Sequence, residues 1–521
     1  MTATWAGMLA ERLQPTPNPY LADPVSWAQK RLGSHVTRDQ QRIMRSVVEN
    51  RYTAAPSCHD VGKSFTAAEV VNWWLDVHPV GEAFVVTTAP TAAQVGAILW
   101  REIGKIHRGA ELFGYITGAN EWKIGHPGSA GELVAYGRKP ADYDMTGFQG
   151  IHARYVLVVI DEACGVPKML YDAVDALATN KHARVLAIGN PDDPSSHFAE
   201  ICKPGSGWAV VQIDALRSPN FTRAQIDPYP ELVKYMIQEG IAPTDEEIPE
   251  RLQDLLVDPL WVNERIKRWG VTSPLFTSKV RGQFPNVTTD TLINPHWITL
   301  AMYRDVIPTP TASKMGVDVA RYGVDESVIL LRQGGHCRVV ETIPYGPTTE
   351  LAGKIIQHGA ELMRAPAEFP IVCVDDVGVG GGVTDMLAEQ RLPVVPIIGG
   401  AAAAELLPTG KPRFVNKRSE LWWNMRVAFA GPSGTGADGW LDIDPEDEDL
   451  QAQLGQIKYR VNQHGQIAIE SKDDMKARGL PSPDRGDALA YALAPDLPPS
   501  RGLAQQRTDW MVTADLMDTQ W

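Results

Sequence analysis

Residues 57–64 read Ser-Cys-His-Asp-Val-Gly-Lys-Ser, and residues 155–163 read Tyr-Val-Leu-Val-Val-Ile-Asp-Glu-Ala. The first stretch has the residue types of a loop that wraps phosphate. Backbone N–H groups at a helix N-terminus, helped by the helix dipole, favour an anion there. Ser57, Cys58, His59, Asp60, Val61 and Gly62 would form the cradle, Lys63 would reach the β/γ-phosphates, and Ser64 would offer its hydroxyl to Mg²⁺. The second stretch is an apolar run of the kind buried on both faces of a sheet, and it ends in two carboxylates. Asp161 is expected to hold the metal, directly or through water, and Glu162 to polarise the attacking water. Alone, Gly-Lys-Ser also occurs in ordinary turns and Asp-Glu on solvated surfaces. The order of loop, helix, buried strand and acids is what points to nucleotide hydrolysis. Ser57 stands where such loops usually open with Gly, and Asp60 must point away from bound phosphate.

A second set of acids lies in the C-terminal half. Asp318 sits on a strand over 314–319, Asp375 and Asp376 follow an apolar strand over 371–374, and Asp484 and Asp487 open a late helix. Strands over 328–332 and 338–343, joined by Gly334 and Gly335, follow the first. A helix over 348–363 then leads to the 371–374 strand, and another strand covers 394–398. Three strands in meander, a helix and a further strand is the order of a ribonuclease-H-like domain. Carboxylates at these places converge there on two divalent ions, which activate water and stabilise the leaving oxygen of a phosphodiester. Oxygen ligands suit Mg²⁺ or Mn²⁺. Asp375 is the first choice at the second place because it directly follows the strand, with Asp376 in reserve. Asp487 is preferred at the third, with Asp484 in reserve. Taken singly, each reads as a strand-end or N-cap aspartate. Asp325 reads as support for the site or as a turn residue.

These residues need two sheets to position them. Residues 1–35 read as an irregular arm with a short helix. Residues 36–216 read as a P-loop ATPase of ASCE type: a helix opening near Asp39, the loop, a helix over 65–77 in which Trp73 and Trp74 pack, a strand over 83–88, a helix over 92–107, an irregular Gly-rich stretch over 109–150, the acidic strand, and a strand over 183–188. The last ends in Gly189-Asn190-Pro191, where Asn190 either senses the γ-phosphate or makes a turn. Alternating strands and helices with ligand groups at strand C-termini describe an open parallel α/β sheet. Residues 217–285, Pro-rich and helical, read as a lid or linker. Residues 286–495 form the nuclease domain, and 496–521 a tail.

Length and composition fit this division. A chain of 521 residues needs more than one core. Its net charge of −14 argues against non-specific polyanion binding and suggests that a partner helps hold DNA. The five cysteines are scattered, which reads as reduced thiols without structural zinc. No apolar run is long enough to span a bilayer, and the N-terminus lacks a secretory pattern.

In combination and order, the Asp39–Arg42 segment (Asp-Gln-Gln-Arg), the phosphate loop, Phe148-Gln149-Gly150-Ile151-His152, Ile-Asp-Glu-Ala, Gly-Asn-Pro, Gly-Gln-Phe-Pro at 282–285 and Gly316-Val317-Asp318-Val319-Ala320 resemble the large terminase subunit of tailed double-stranded-DNA bacteriophages. The resemblance covers about residues 36–495. It implies a motor that uses ATP to drive double-stranded DNA through a portal protein into a procapsid, and that cuts concatemeric DNA. It places Gln41 on adenine, Lys63 and Ser64 on phosphate and metal, Asp161 and Glu162 on metal and water, Asn190 in coupling, and Asp318, Asp375 and Asp487 on the nuclease ions. It implies a small terminase subunit as partner, a homo-oligomeric ring on the portal, the host cytoplasm as the place of work, and absence from the mature virion. Relatives often carry an Arg in the phosphate loop; here none is present, which puts the arginine finger elsewhere in the chain, with Arg101, Arg138 and Arg154 as candidates, or on a neighbouring subunit. Trp510, Met511 and residues 516–521 read either as a docking peptide on the tail or as part of a disordered tail with no role. Two other readings stand beside this one: a helicase–nuclease of DNA repair, which would need a second ATPase-like lobe, and a nuclease-inactive packaging ATPase.

Overall fold

The computed structural model describes residues 18–495 except 93, 126–130, 139–152, 287–289, 311–312, 321–325, 345, 364–368 and 408–409. The 148–152 motif, Asp325 and the tail residues named above lie outside the described residues. The chain divides into two compact units, Met1–Glu264 with Thr277–Pro285, and Arg265–Phe276 with Asn286–Trp521.

The first unit is built on an eight-stranded sheet: β1 (Tyr52–Pro56), β2 (Ala83–Thr88), β3 (Tyr115–Thr117), β4 (Glu121–Ile124), β5 (Glu132–Gly137), β6 (Tyr155–Asp161), β7 (Arg184–Gly189) and β8 (Ala209–Val210), in the order β3-β4-β5-β2-β6-β7-β1-β8. From β5 to β8 all pairs are parallel, while β3, β4 and β5 are antiparallel. The run β2-β6-β7-β1-β8 is the ASCE order. It inserts β7 between the loop strand and the acid strand, so Asn190, just past β7, falls between them. β6 is apolar because both its faces are covered, and all its residues but Tyr155 are buried. The described residues of the 109–150 stretch are more regular than its sequence suggests, since β3, β4 and β5 extend the sheet there. These strands are short, and Gly114, Gly118 and Gly125 interrupt any period that would mark them.

The helix Lys63–Val77 runs from the phosphate loop and is buried on most sides, Trp73 and Trp74 included. Glu69 on this helix is therefore taken out of water. Burial outweighs the opposing influence of the nearby Ser34 and pushes its pKa from 4.5 up to about 7. A carboxyl raised in this way contributes stability that is complete below the unfolded value and is lost as pH rises through the folded one. Unfolding free energy should fall between pH 4.5 and 7 by about 3 kcal/mol in all, at about 1.4 kcal/mol per pH unit. Glu69→Gln should remove that slope. Denaturant melts of the two proteins across this range check it; parallel curves would contradict the assignment.

The second unit carries a six-stranded sheet: β9 (Ser313–Asp318), β10 (Ser327–Gln333), β11 (His336–Ile343), β12 (Ile371–Asp375), β13 (Val394–Ile397) and β14 (Asp442–Ile443), in the order β13-β12-β9-β10-β11-β14. β9, β10 and β11 form an antiparallel meander, and β12 and β13 add in parallel on the other side of β9. This is the ribonuclease-H-like order. The helix Asp484–Ala492 lies against β9 and β10. Its close approach depends on Gly316, where a Cβ would lie 1.9 Å from the Ala488 carbonyl oxygen. Any side chain there would push away the helix that carries Asp484 and Asp487.

Candidate ATP site and nuclease site

In the first unit the loop is held by its neighbours. The N–H groups of Ser57, Cys58 and His59 donate to the carbonyls of Gly189 (3.0 Å), Ile213 (3.0 Å) and Lys279 (2.9 Å). Ser57 is buried and its hydroxyl donates to the Ala55 carbonyl, so serine fits the position usually taken by glycine. Asp60 is exposed and adopts a left-handed backbone (φ 48°). Gly62 (φ 75°) caps the helix without a side-chain bond, which leaves the amides of the first turn without an intrahelical partner. A Cβ at Gly62 would stand 2.5 Å from Gln40 Nε2.

Lys63 Nζ donates to the Cys58 carbonyl (2.9 Å) and to Asn190 Oδ1 (3.3 Å), and Asn190 Nδ2 donates to the Ser57 carbonyl (2.6 Å). Asn190 therefore touches both ends of the loop, which a simple turn residue would not. Ser64 Oγ lies 3.5 Å from Asp161 Oδ2, so a hydroxyl and a carboxylate face one point, a donor pair that fits Mg²⁺. Burial first, then the charge of Glu162, raises the Asp161 pKa to about 7, against the Glu162 N–H, Lys63 and Ser64. Glu162 itself holds a left-handed backbone (φ 46°), a strained geometry common at functional sites.

Gln41, on the helix Arg38–Glu49, is engaged locally: its Nε2 donates to the Val36 carbonyl just before the helix and its Oε1 accepts from Arg45. Its neighbour Gln40, which the motif did not single out, is buried and donates to the Val61 carbonyl of the loop (3.1 Å). Of the three arginines, Arg138 follows β5 at the sheet edge where Asp161 lies, and pairs with Glu121. Arg154 precedes β6 at the opposite edge and pairs with Glu82; Arg101 opens the helix Arg101–Gly109 and pairs with Glu102. Lys279, whose carbonyl accepts the His59 N–H, also pairs with Asp192 two residues past Asn190 (2.9 Å). The segment leading to Gly-Gln-Phe-Pro is thus fastened to the loop.

In the second unit the acids converge. Lys472 Nζ lies 3.1 Å from Asp487 Oδ2, 3.4 Å from Asp318 Oδ2 and 3.4 Å from Asp484 Oδ1. Asp487 Oδ1 also accepts from Trp422 Nε1 (2.6 Å) and Arg418 Nε (3.1 Å). Burial opposes the Asp487 charge, but Arg418, Lys472 and Trp422 outweigh it and hold the carboxyl below its usual range. Burial pushes Asp318 the other way, well above its usual value, and the charges of Asp487, Asp484 and Asp375 add to this against Lys472. Asp375 is likewise raised, by burial first. Its Oδ1 accepts the Val377 N–H (3.2 Å), whereas Asp376 Oδ1 lies over Gly381. Asp484 also accepts the Glu326 N–H (3.2 Å).

Among the described residues, no three of these groups converge closely enough by themselves to hold a metal ion. Their shared cation is the Lys472 ammonium. The donor set still fits a hard divalent ion: it is all oxygen, and Asp318 Oδ1 is buried without a hydrogen-bond partner. The Lys472 side chain is 34% exposed, so its head can swing out to water. Lys472→Met should therefore tighten Mn²⁺ binding by about tenfold or more, equivalent to about 1.4 kcal/mol, while lowering the melting temperature without metal. Calorimetric titration with Mn²⁺ checks this, and unchanged affinity would contradict competition between ammonium and metal. Lys472, Arg418 and Trp422 were not legible as site residues, since they stand on helices without a motif.

No family model matches the sequence. A protein of Enterobacteria phage P7 described as a probable terminase, large subunit, is 24% identical over 510 residues, which span 91% of this chain and 91% of that protein. The chain resembles a large terminase subunit along most of its length. Among solved structures, the large terminase of a thermophilic bacteriophage aligns with 88% of this chain and 98% of its own, at 11% identity and a TM-score of 0.38. The nuclease domain of the large terminase subunit gp2 of bacterial virus Sf6 aligns whole with 40% of this chain, at 20% identity and a TM-score of 0.34.

Proposed function

We propose that this chain is the ATPase–endonuclease of a viral DNA-packaging motor. It hydrolyses ATP to drive double-stranded DNA through a portal into a procapsid, and it cuts concatemeric DNA. The observation that carries this reading is the presence in one chain of a P-loop site on an ASCE sheet and a carboxylate cluster on a ribonuclease-H-like sheet. Similarity to a probable large terminase over 91% of the chain supports it.

In the first unit, Lys63 would neutralise charge on the β/γ-phosphates, Ser64 and Asp161 would hold Mg²⁺, and Glu162 would orient the attacking water. Asn190 touches Lys63 and the loop carbonyl, so it feels the loss of the γ-phosphate charge. In the second unit, Asp318, Asp375, Asp487 and Asp484 would hold two Mg²⁺ or Mn²⁺ ions. When bound, such ions activate water and neutralise the leaving oxygen. Arg418 and Trp422 keep Asp487 charged and oriented. Cutting is expected to act through backbone contacts rather than base readout, with site choice supplied by a small terminase subunit. Homo-oligomeric assembly on the portal and action in the host cytoplasm, with absence from the mature virion, complete the proposal. A repair helicase would need a second ATPase-like lobe, and the second sheet has the ribonuclease-H-like order instead.

Protection of DNA from added nuclease tests the motor. Procapsids with portal, the small subunit and this chain should protect DNA with ATP and not without it. Absence of protection while ATP is being hydrolysed would overturn the motor reading.

A further inference from the structure

The second sheet ends in an edge that its own chain covers only in part. β14 pairs with β11 at His336 and Cys337 and then departs. Asp444 begins a turn that reaches the helix Glu448–Gln456 by way of Asp447. Among the described residues, the backbone from Val339 to Thr342 makes no hydrogen bond on the side β14 has left. Between this edge and the turn opens a cleft of ≈ 380 Å³. Unpaired strand edges are templates for pairing with another chain, and an extended peptide adds to such an edge as a further strand.

The charge of the cleft selects what can enter. Its walls carry Glu341, Asp444, Glu446 and Asp447 against one cation, Arg485. Arg485 is already committed to Glu326, Asp447 and Asp449. Glu341 is shared with Lys354 and His358. Asp444 and Glu446 have no ion pair among the described residues. Nucleic acid, a polyanion, is repelled here. The ladder slips between Ile329 and Leu330, leaving Val340 as a bulge that twists the edge, so the edge suits a short segment.

We propose that this cleft docks an extended, basic segment of a protein partner, which pairs with β11 and lays Lys or Arg side chains over Asp444 and Glu446. The proposal does not depend on the packaging reading. An eight-residue peptide alternating Lys and Val, carrying a fluorophore, can be titrated by anisotropy against the full chain. Binding is expected, and it should weaken at least about tenfold with Asp444→Asn combined with Glu446→Gln, in which Asn keeps the side-chain oxygen that accepts the Glu446 N–H (2.9 Å) in the turn. The same peptide N-methylated at alternate residues should also lose affinity, because its edge donors are gone. Three results would each overturn the proposal. The peptide fails to bind; the charge variant binds it as well as wild type, meaning attraction elsewhere on an acidic chain; or the methylated peptide binds equally, meaning no strand pairing.

Discussion

Alanine at Lys63 is expected to lower ATP turnover by about 10²–10³-fold, the scale on which loss of one preorganised charge contact to a transferring group acts. Lys63 is the one cation seen within the loop, tied to the Cys58 carbonyl and to Asn190 rather than to a carboxylate. Its ammonium is thus aimed and not neutralised. Removing it strips positive charge from the phosphates and frees Asn190 from one of its two partners. Nuclease activity should persist, since its acids stand on a different sheet from this loop. Phosphate release and metal-dependent DNA cutting, measured on the same variant, check both halves. Turnover within a few-fold of wild type would sink the loop assignment.

Alanine at Asp318 is the second large effect. Asp318 is buried, carries an unpartnered oxygen, and shares Lys472 with Asp484 and Asp487. Its loss should cut cleavage by at least about 10³-fold, since metal-assisted charge stabilisation supplies several kcal/mol and each ~1.36 kcal/mol is a factor of ten. It should not unfold the domain, because the carboxyl is itself raised well above its usual pKa by burial. Removing a buried acid relieves desolvation, although it leaves Lys472 with two partners. ATP turnover should stay near wild type. Retained cleavage by the folded variant would contradict the assignment of Asp318 to the nuclease site.

Much of both sheets was legible because acids and loop residues sit at the ends of strongly apolar strands. The runs at 155–161, 184–189 and 371–375 announce themselves by Val and Ile, and their ends carry the chemistry. The strand order could then be read for the second sheet from a meander, a helix and a further strand. What was not legible depended on distance in sequence. Lys472, Arg418 and Trp422 reach Asp487 from helices 15, 69 and 65 residues away, counted from their positions in the chain. Nothing in their local sequence marks them, and only tertiary packing brings an ammonium among the acids. Gln40 and Gln41 show the same limit at short range. Adjacent identical side chains leave a helix in different directions, and only the fold tells which one touches the loop. The short strands β3, β4 and β5 were hidden because an edge extension of three to six residues needs no long apolar run.

The measurement that bears most directly on two independent active sites in one chain is plasmid cleavage in Mn²⁺, Mg²⁺ and EDTA, wild type beside Asp318→Ala, with ATP turnover read on the same preparations. Wild type should cut with metal and not in EDTA, and the variant should hydrolyse ATP without cutting. A folded variant that still cuts, or one that loses both activities together, would contradict it.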